Sequence, residues 1–539
     1  MVQDRSTSEK AFTLDWIDSR MGDLSDWNQI IWHYAEPALR EYKSAAWYVD
    51  LLCREGFEVE AGSGGMPTAF SATWSHKARP GDPVIGAYAE YDAVPGNCQA
   101  ASTSREPRKG PNGYLSRHAA GHTDPHSALG ISSLGGVLAA KAAMEKFDIP
   151  GTIRYFGEPA EKLRLSKPVH AAKGYYDGID AFLSFHPTYM LPLVNTVRWG
   201  THCGLGYACI YTFDCVEPEN WLSADPDSPI PASHISARAP GANDALFHMF
   251  GMTKQSQSNM LPFTGGWSIS EAILSAGQAT ADNLPAQTAQ IQYLWRAPTL
   301  EMAETIARVL DNNAEAAAKA AHCRWTRTWV TKSRPGLANH VMAQATYDNL
   351  VLAGAPKWGS EAIAAAQAIQ RELGLQPMEK PFLPAIEALI EPQEAERRLR
   401  QTLPPWQLNS TSDDYTEYCW SAPTVRFYIG RPMLKAARGV NYPDWVMNAL
   451  GGIRSCIDPM IRTAAQTIGA TIVDLMTRPE LLKAAKDEWR QRTGGGIGGD
   501  QWMAPLLPQD FQAPIDFRWP EYVTTARGEE WWIPARAGE

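Results

Sequence analysis

The chain has 539 residues, of which 44% are hydrophobic and 20% charged, and its formal net charge is −10. This length exceeds what one hydrophobic core usually organises, so we expect at least two domains. An acidic chain of ordinary composition argues against nucleic acid as the main partner. The eight cysteines include no CxxC pair. We see no N-terminal signal and no apolar run of membrane-spanning length, and therefore expect a reduced, cytoplasmic protein outside the membrane.

The first part of the chain alternates helices with strands. Apolar spacing predicts helix over residues 12–56 and a long helix over 128–147. Short apolar or alternating runs predict strands at residues 57–60, 68–74, 83–89, 151–157, 181–185 and, far downstream, 424–430. This order is typical of an α/β fold in which helices cover both faces of a mostly parallel sheet.

The pattern changes near residue 199. Alternating segments at 206–213, 286–295 and 323–330, with helical segments at 242–252 and 300–321, predict an inserted antiparallel α+β domain. Helical patterns then return, and a tail rich in Gly, Pro and Trp begins near residue 494. We predict four regions: the first part of the main domain (1–199), an inserted domain (200–333), the second part of the main domain (334–480) and a C-terminal extension wrapping the surface (481–539).

Chemistry-bearing side chains follow three of the predicted strands. Asp124 and His126 lie in the stretch from Gly121 to Gly130, Glu161 and Lys162 follow the strand at 151–157, and His186 ends the strand at 181–185. In such sheets, sites form beyond the carboxyl ends of the strands. Two imidazoles and a carboxylate suit a divalent metal such as Zn or Mn, and a free glutamate beside them suits a general base.

Several motifs stand in the order of a known family. They are Glu90–Gly96, similar to an acidic D-A-L-P turn; Gly121–Gly130, similar to G-H-x-C-G-H-N-x-x-G; Phe156–Lys162, similar to F-G-x-P-A-E-E; Tyr176–Pro187, similar to F-D-G-V-D-A…W-H-P; and Asn283 with Tyr293–Pro298, similar to an Asn and R-A-P signature. The chain thus resembles the metal-dependent aminoacylase and carboxypeptidase family, peptidase family M20. Its closest resemblance is to the amidohydrolase branch with hippurate, auxin-conjugate and aminobenzoyl-glutamate hydrolases.

The resemblance implies a hydrolase that cleaves an amide of a small acyl- or aryl-amino acid or an arylamide. It also implies a catalytic domain of zinc-aminopeptidase type, an inserted lid domain through which two chains form a homodimer, and two metals bridged by one carboxylate or thiolate. On this chain the bridging residue falls on Asp124, the ligands of one metal on His126 and His186, and the general base on Glu161.

The second metal of the family loses its own ligands here. Lys162 stands where a glutamate ligand is expected, the distal histidine falls near Pro443, and no histidine follows His340. We therefore expect one Zn or Mn held by Asp124, His126 and His186, with a second metal doubtful. The Lys162 ammonium would balance the carboxylates and stabilise an oxyanion as a metal does.

Other residues carry weaker expectations. Asp92 would orient the metal-loop histidine, or cap a helix as an acidic turn residue. His118 and His122, with Asp444 and Asp458, are spare ligand candidates. Ser233–Ile235 loosely resembles the family's A-H-A, which implies that His234 steadies the oxyanion from a neighbouring subunit; a structural or surface histidine is the alternative. Asn283 and Arg296 would meet a substrate carboxylate, or pair with groups inside the lid.

Two alternatives to the metal-dependent amidohydrolase stay open. One is a hydrolase or aminohydrolase without metal, in which Lys162 acts as the cation. The other is a non-catalytic descendant that binds a ligand or partner, with Lys162 a solvated loop residue of a site that has stopped binding metal. Metal content and turnover distinguish the three.

Overall fold

A computed structural model describes residues 6–110, 113–115, 117–215, 240–261, 266–277, 285–436, 439–515, 522–525 and 528–531. The helices are α1 (Ser8–Ser19), α2 (Met21–Tyr34), α3 (Tyr42–Arg54), α4 (His126–Phe147), α5 (Ser166–Ala172), α6 (Ala242–Ser256), α7 (Leu300–Ala320), α8 (His340–Ala353), α9 (Ser360–Glu372), α10 (Pro392–Arg400), α11 (Asp444–Gly452), α12 (Arg454–Thr477) and α13 (Pro479–Thr493). The strands are β1 (Glu58–Ala61), β2 (Phe70–His76), β3 (Val84–Ala89), β4 (Lys109–Gly110), β5 (Gly113–Tyr114), β6 (Gly151–Gly157), β7 (Ala181–Thr188), β8 (Thr196–Val197), β9 (His202–Asp214), β10 (Ser268–Ser275), β11 (Thr288–Ala297), β12 (Arg324–Lys332), β13 (Asn409–Ser412), β14 (Thr424–Gly430), β15 (Tyr522–Thr525) and β16 (Gly528–Trp531).

A seven-stranded sheet organises the main domain, in the order β1-β2-β6-β3-β7-β14-β8. Its four central strands, β6, β3, β7 and β14, are parallel, whereas the outer strands pair antiparallel. The predicted mostly parallel α/β sheet is therefore confirmed. Because the central strands share one direction, their carboxyl ends meet at one edge of the sheet, and the site lies there.

Helix α4 forms the centre of the main core and packs against α12, α1, α2 and β3. It is buried along both sides, so its apolar residues follow no single stripe. A side chain at Gly130 would stand 2.3 Å from the Tyr48 hydroxyl and 2.8 Å from the Glu90 carbonyl oxygen. Glycine there lets the first turns of α4 lie directly on the end of β3.

The same helix corrects one expectation from the sequence. Among the described residues, α4 is long and apolar enough to cross a membrane by length and composition, contrary to our expectation that no run of that length exists. However, 89% of its apolar window is buried inside this fold. A central core helix passes the same composition test as a membrane span.

A second sheet follows in the inserted region, with β10, β11, β9 and β12 antiparallel in that order and β13 parallel to β9. Helices α6 and α7 cover one face and bury a core with Trp295. The α+β composition agrees with the sequence pattern, except that β10 went unpredicted. Its side chains are half exposed throughout, so its sequence lacks the clear alternation of a half-buried strand. The region boundaries stay predictions.

Candidate active site

Three neighbouring parallel strands and one helix supply the polar side chains of the site. Strand β3 ends immediately before Glu90 and Asp92, β6 leads into the turn with Glu161 and Lys162, and β7 contains His186. His126 is the first residue of α4. The structure therefore brings together every predicted metal ligand, the predicted base and Asp92.

His126 is oriented by Asp92. Its Nδ1 lies 2.7 Å from the Asp92 carboxylate and 3.1 Å from the Asp92 carbonyl oxygen. An ionised carboxylate only accepts hydrogen bonds, so Nδ1 carries a hydrogen and Nε2 is the ring nitrogen directed into the site. Burial and the charge of Lys162 oppose the charged form of the ring, but Asp92, Asp124 and Glu90 outweigh them and raise the pKa of His126. That Nε2 is fully buried and finds no hydrogen-bond partner in the described part of the chain. Asp92 thus holds the histidine with its free nitrogen toward the site, as a metal-binding histidine is usually held.

Carboxylates surround this free nitrogen. Its nearest neighbours are Glu90 Oε2 at 3.3 Å, Asp124 Oδ2 at 3.6 Å and Glu161 Oε2 at 3.6 Å. Adjacent ligand atoms around a tetrahedral zinc at ordinary bond lengths stand about 3.4 Å apart. The orphaned buried nitrogen and this spacing fit a divalent metal.

His186 completes the group from the neighbouring strand. Its Nδ1 donates to the Pro187 carbonyl at 2.6 Å, so Nε2 presents a lone pair, and it lies 3.5 Å from Asp124 Oδ1. Burial lowers the pKa of His186 to about 4, although Asp124 opposes the shift. The ring is therefore neutral near pH 7, the state in which imidazole binds metal.

Lys162 is turned into the site. Its ammonium forms an ion pair with Asp124 and lies 3.1 Å from Glu161 Oε2, while its backbone N–H donates to the second Asp92 oxygen at 2.8 Å. Burial opposes the charged form, but Asp124 and Asp92 outweigh it and raise the pKa of Lys162. Burial likewise opposes ionisation of Asp124, and the charge of Lys162 overcomes it, so the pKa of Asp124 falls well below its usual range. Lys162 is therefore a fixed cation against two carboxylates rather than a solvated loop residue.

The turn that carries Glu161 is conformationally strained. Ala160 and Arg164, which flank it, both adopt left-handed backbone conformations, with φ of 55° and 58°. Such conformations are unfavourable for residues other than glycine and persist only where surrounding contacts hold them. Glu41 supplies one such contact by accepting the Ala160 N–H at 2.8 Å, and Arg164 forms an ion pair with Glu161. The carboxylate of the predicted base is thus held by Lys162 and Arg164.

Sequence reasoning missed a second layer of charges behind the site. The fully buried Lys167 ammonium lies 2.8 Å from Glu90 Oε1 and 2.7 Å from Asp414 Oδ1. Beside them, Asp413 forms an ion pair with the buried Arg426. Burial, partly offset by Lys167, raises the pKa of Asp414 to about 7. Glu90 had a usable signal, since it stands two positions before Asp92, directly after the end of β3. Asp414 had none, because it lies 247 positions from Lys167.

Arg431 adds a second cation near Asp124. It lies just after β14 and donates to the Thr123 carbonyl at 2.6 Å and to the Met447 carbonyl at 3.0 Å. Pro443, where the sequence resemblance places the distal histidine, only precedes α11. Of the Asp124 oxygens, Oδ2 faces both Lys162 and His126, whereas Oδ1 lies 3.5 Å from His186 Nε2.

The spare ligand candidates lie elsewhere. His122 Nε2 lies 3.2 Å from the Ile31 carbonyl, and the exposed Asp444 begins α11. Asp458 lies on α12, and His118 is exposed. None of the four belongs to a metal-competent group among the described residues.

The predicted substrate-binding residues are only partly described. Arg296 lies on β11 opposite Gly206, with its side chain open to solvent. Desolvation by the surrounding protein atoms lowers the pKa of Arg296, and the positive charge of Arg164 lowers it further. Arg296 therefore faces the side of the inserted domain that approaches the Glu161 turn. His234 and Asn283 lie outside the described residues.

A separate buried cluster lies on the other side of the Glu161 turn. His170 Nδ1 donates to Glu158 at 3.0 Å, and its Nε2 lies 2.8 Å from the Ser63 hydroxyl. Tyr176 and Tyr418 donate to the same glutamate at 2.7 and 3.2 Å. All three members of the Ser63–His170–Glu158 cluster are inaccessible to solvent, and their hydrogen bonds are satisfied within the fold. The cluster holds the start of the Glu161 turn in place.

Comparison with known proteins agrees with the motif resemblance. No family model matches the chain. It is 24% identical over 503 residues to a subunit of p-aminobenzoyl-glutamate hydrolase from Escherichia coli K12, covering 89% of this chain and 95% of the relative. The predicted similarity to the aminobenzoyl-glutamate hydrolase branch of the M20 family is thereby confirmed.

Two solved structures are also similar. The aminobenzoyl-glutamate utilization protein of Klebsiella pneumoniae is 13% identical, covers 84% of this chain and 98% of its own, and has a TM-score of 0.48. A dinuclear metal-binding peptidase of the M20 family from Bacillus subtilis is 14% identical, covers 86% and 99%, and has a TM-score of 0.44.

Proposed function

We propose that this chain, similar along nearly its whole length to an amidohydrolase subunit, is itself a hydrolase of C–N bonds. Its substrate would be an acyl- or aryl-amino acid or an arylamide, and its products a carboxylic acid and an amine. One observation carries the proposal: His126 Nε2 and His186 Nε2 lie within 3.6 Å of Asp124 oxygens, with Glu161 beside them.

Asp124, His126 and His186 would hold one divalent metal, Zn or Mn. Such a metal polarises the substrate carbonyl and makes a water molecule more acidic. The tautomers support this assignment, because both histidines direct their hydrogens at oxygen atoms outside the site.

Glu161 would take a proton from the attacking water as the C–O bond forms. When the tetrahedral intermediate collapses, the C–N bond breaks, and Glu161 returns that proton to the leaving nitrogen. The Lys162 ammonium, fixed by Asp124, would stabilise negative charge on the former carbonyl oxygen. Arg296, open to solvent on β11, would pair with a carboxylate of the substrate.

The inserted domain would also pair two copies of the chain. Phe247 on α6 is 54% exposed, and Ile273 on the edge strand β10 is 39% exposed. An edge strand with exposed apolar side chains favours pairing with another chain. Sedimentation of the purified protein at micromolar concentration tests this: a dimer is expected, and a monomer contradicts it.

The decisive experiment combines metal analysis with Glu161→Gln. We expect about one tightly bound metal per chain in both proteins. Loss of the base should lower kcat for an acyl-amino acid by about 10² to 10⁴-fold. Glu145→Gln, an exposed glutamate that pairs with Lys141 on α4, is the matched control and should be fully active. Two tightly bound metals, or an unimpaired Glu161→Gln variant, contradict the proposal.

A second candidate is a hydrolase that works without metal. The observation in its favour is the Lys162 ammonium, already placed between Asp124 and Glu161 as a cation would be. If protein stripped of metal by a chelator keeps full activity, this candidate replaces the first. If no acyl-amino acid or anilide is hydrolysed with metal supplied, a binding role gains the most support.

A further inference from the structure

We propose that Glu90, immediately after β3, is a further ligand of the metal. This inference rests on the metal site of the proposed function and adds a residue to it. Asp124 is the carboxylate ligand that the family pattern implies, but it already forms an ion pair with the Lys162 ammonium. Glu90 Oε2, by contrast, has no hydrogen-bond partner among the described residues and is open to a metal.

The first argument is the orientation of Glu90. Its side chain is fully buried, and one oxygen, Oε1, is fixed at 2.8 Å by the Lys167 ammonium. The other oxygen, Oε2, is aimed at His126 and finds no hydrogen-bond partner in the described ranges of the chain. A buried carboxylate oxygen without a partner costs free energy, because desolvation is not repaid by a contact. Glu90 is therefore poised for monodentate binding of a cation.

The second argument is the contact between Glu90 and His126. Because Asp92 fixes a hydrogen of His126 on Nδ1, Nε2 is the ring nitrogen that faces the Glu90 oxygen, across 3.3 Å. A carboxylate oxygen and a ring nitrogen that face each other in a buried site are placed to share one cation. The separation also matches the edge of a metal coordination shell, which is about 3.4 Å for zinc.

The third argument is the position of His186. The ligand atoms of Glu90, His126 and His186 all lie within 4.8 Å of one another, as do those of Asp124, His126 and Glu161. The two groups share His126, and the group that contains both histidines includes Glu90 rather than Asp124. Lys167 would be a positioning residue, since it holds Glu90 from behind and is itself held by Asp414.

The test measures metal affinity of metal-stripped protein by competition with a chromophoric chelator for Zn²⁺ and Mn²⁺. Glu90→Gln should weaken binding by about 100-fold or more, since even outer residues of metal sites contribute 10- to 100-fold. Glu90→Asp keeps the charge but withdraws the carboxylate by about 1.5 Å, one carbon–carbon bond, and should weaken binding nearly as much. Glu145→Gln, which removes an exposed carboxylate of α4 that pairs with Lys141, is the control and should stay within about threefold of wild type.

The outcomes separate ligation from general electrostatics. Wild-type affinity in Glu90→Asp with weak binding in Glu90→Gln shows that only charge matters and overturns the inference, as does equal weakening by Glu145→Gln. Circular dichroism verifies that each variant folds. If Glu90→Gln does not fold, the metal affinity of Glu90→Asp compared with that of wild type decides. If the Glu90 variants lose metal as expected but the wild type hydrolyses no amide, the inference stands and the proposed function fails. If the wild type binds no metal, both fail.

Discussion

Two kinds of group surround Asp124 and act on its charge differently. The histidine side consists of His126 and His186, whose Nε2 atoms lie 3.6 Å and 3.5 Å from Asp124 oxygens and would take up an exchangeable cation. The lysine side consists of Lys162 and Arg431, whose positive charges are covalently part of the chain. Cationic side chains cannot be lost to a chelator, but they also cannot polarise a carbonyl as strongly as a dication. The comparison suggests that metal chemistry is confined to the histidine side.

The largest expected effect comes from breaking the histidine side. His126→Gln removes the nitrogen at the centre of the ligand cluster, so we expect bound metal to become undetectable and kcat/KM to fall by about 10³-fold or more. Metal analysis and kinetics on the same preparation measure both. His122→Asn is the control, because His122 contacts the Ile31 carbonyl outside the cluster. Retention of one metal per chain by His126→Gln would remove the basis of the comparison.

A smaller effect is expected on the lysine side. Lys162→Met removes the fixed cation, so kcat should fall by about 10²-fold, the usual cost of losing one oxyanion donor, while metal content stays unchanged. Lys162→Arg should recover part of the activity because it restores the charge with altered geometry.

Lys162→Glu sharpens the comparison further. It restores the family residue, yet we expect metal content to remain at one per chain, because Arg431 still occupies this side and no distal histidine is present. A second metal in Lys162→Glu would show that the lysine alone separates the two kinds of site.

The smallest effect concerns the loop that carries the histidine side. Burial lowers the pKa of His122 to about 3, from 6.5 for an exposed histidine. Below pH 6.5 the unfolded chain takes up a proton that the folded chain does not, so stability present above that pH is lost as pH falls toward 3. At pH 5.5 the loss is about 1.4 kcal/mol. Urea unfolding measures the free energy of unfolding of metal-free wild type and metal-free His122→Asn at pH 7.5 and at pH 5.5. From pH 7.5 to 5.5 this free energy should fall by about 1.4 kcal/mol more in wild type than in His122→Asn. Equal pH dependence of the two would show that the loop admits water.

The site could be predicted wherever its residues follow strands in short motifs. Asp124, His126, Glu161, Lys162 and His186 each lie at a strand end or a helix start, so parallel topology alone brings them together. Glu90 was within reach of the same reasoning, because it directly follows the end of β3, two positions before Asp92. It was not predicted as a ligand because the family motif marks Asp92 as the acid of this turn.

The remaining charges were beyond sequence reasoning for a physical reason. Asp413, Asp414 and Arg426 reach the site through tertiary packing of segments more than 200 positions away from Lys167, and no local pattern marks them. In the fold, β10 escaped prediction because both of its faces are partly exposed. The central helix α4 was predicted correctly because its core packing requires apolar residues on every side.

The buried Ser63–His170–Glu158 arrangement bears on how the protein responds to covalent inhibitors. Its hydrogen bonds run from hydroxyl to imidazole to carboxylate, in the order used by serine hydrolases. A phosphonylating reagent, however, needs a path to the hydroxyl oxygen, and Ser63 has no solvent-accessible surface. A fluorophosphonate probe should therefore leave Ser63 unlabelled in the folded enzyme. Screening with activity-based probes for serine enzymes would therefore pass over this protein.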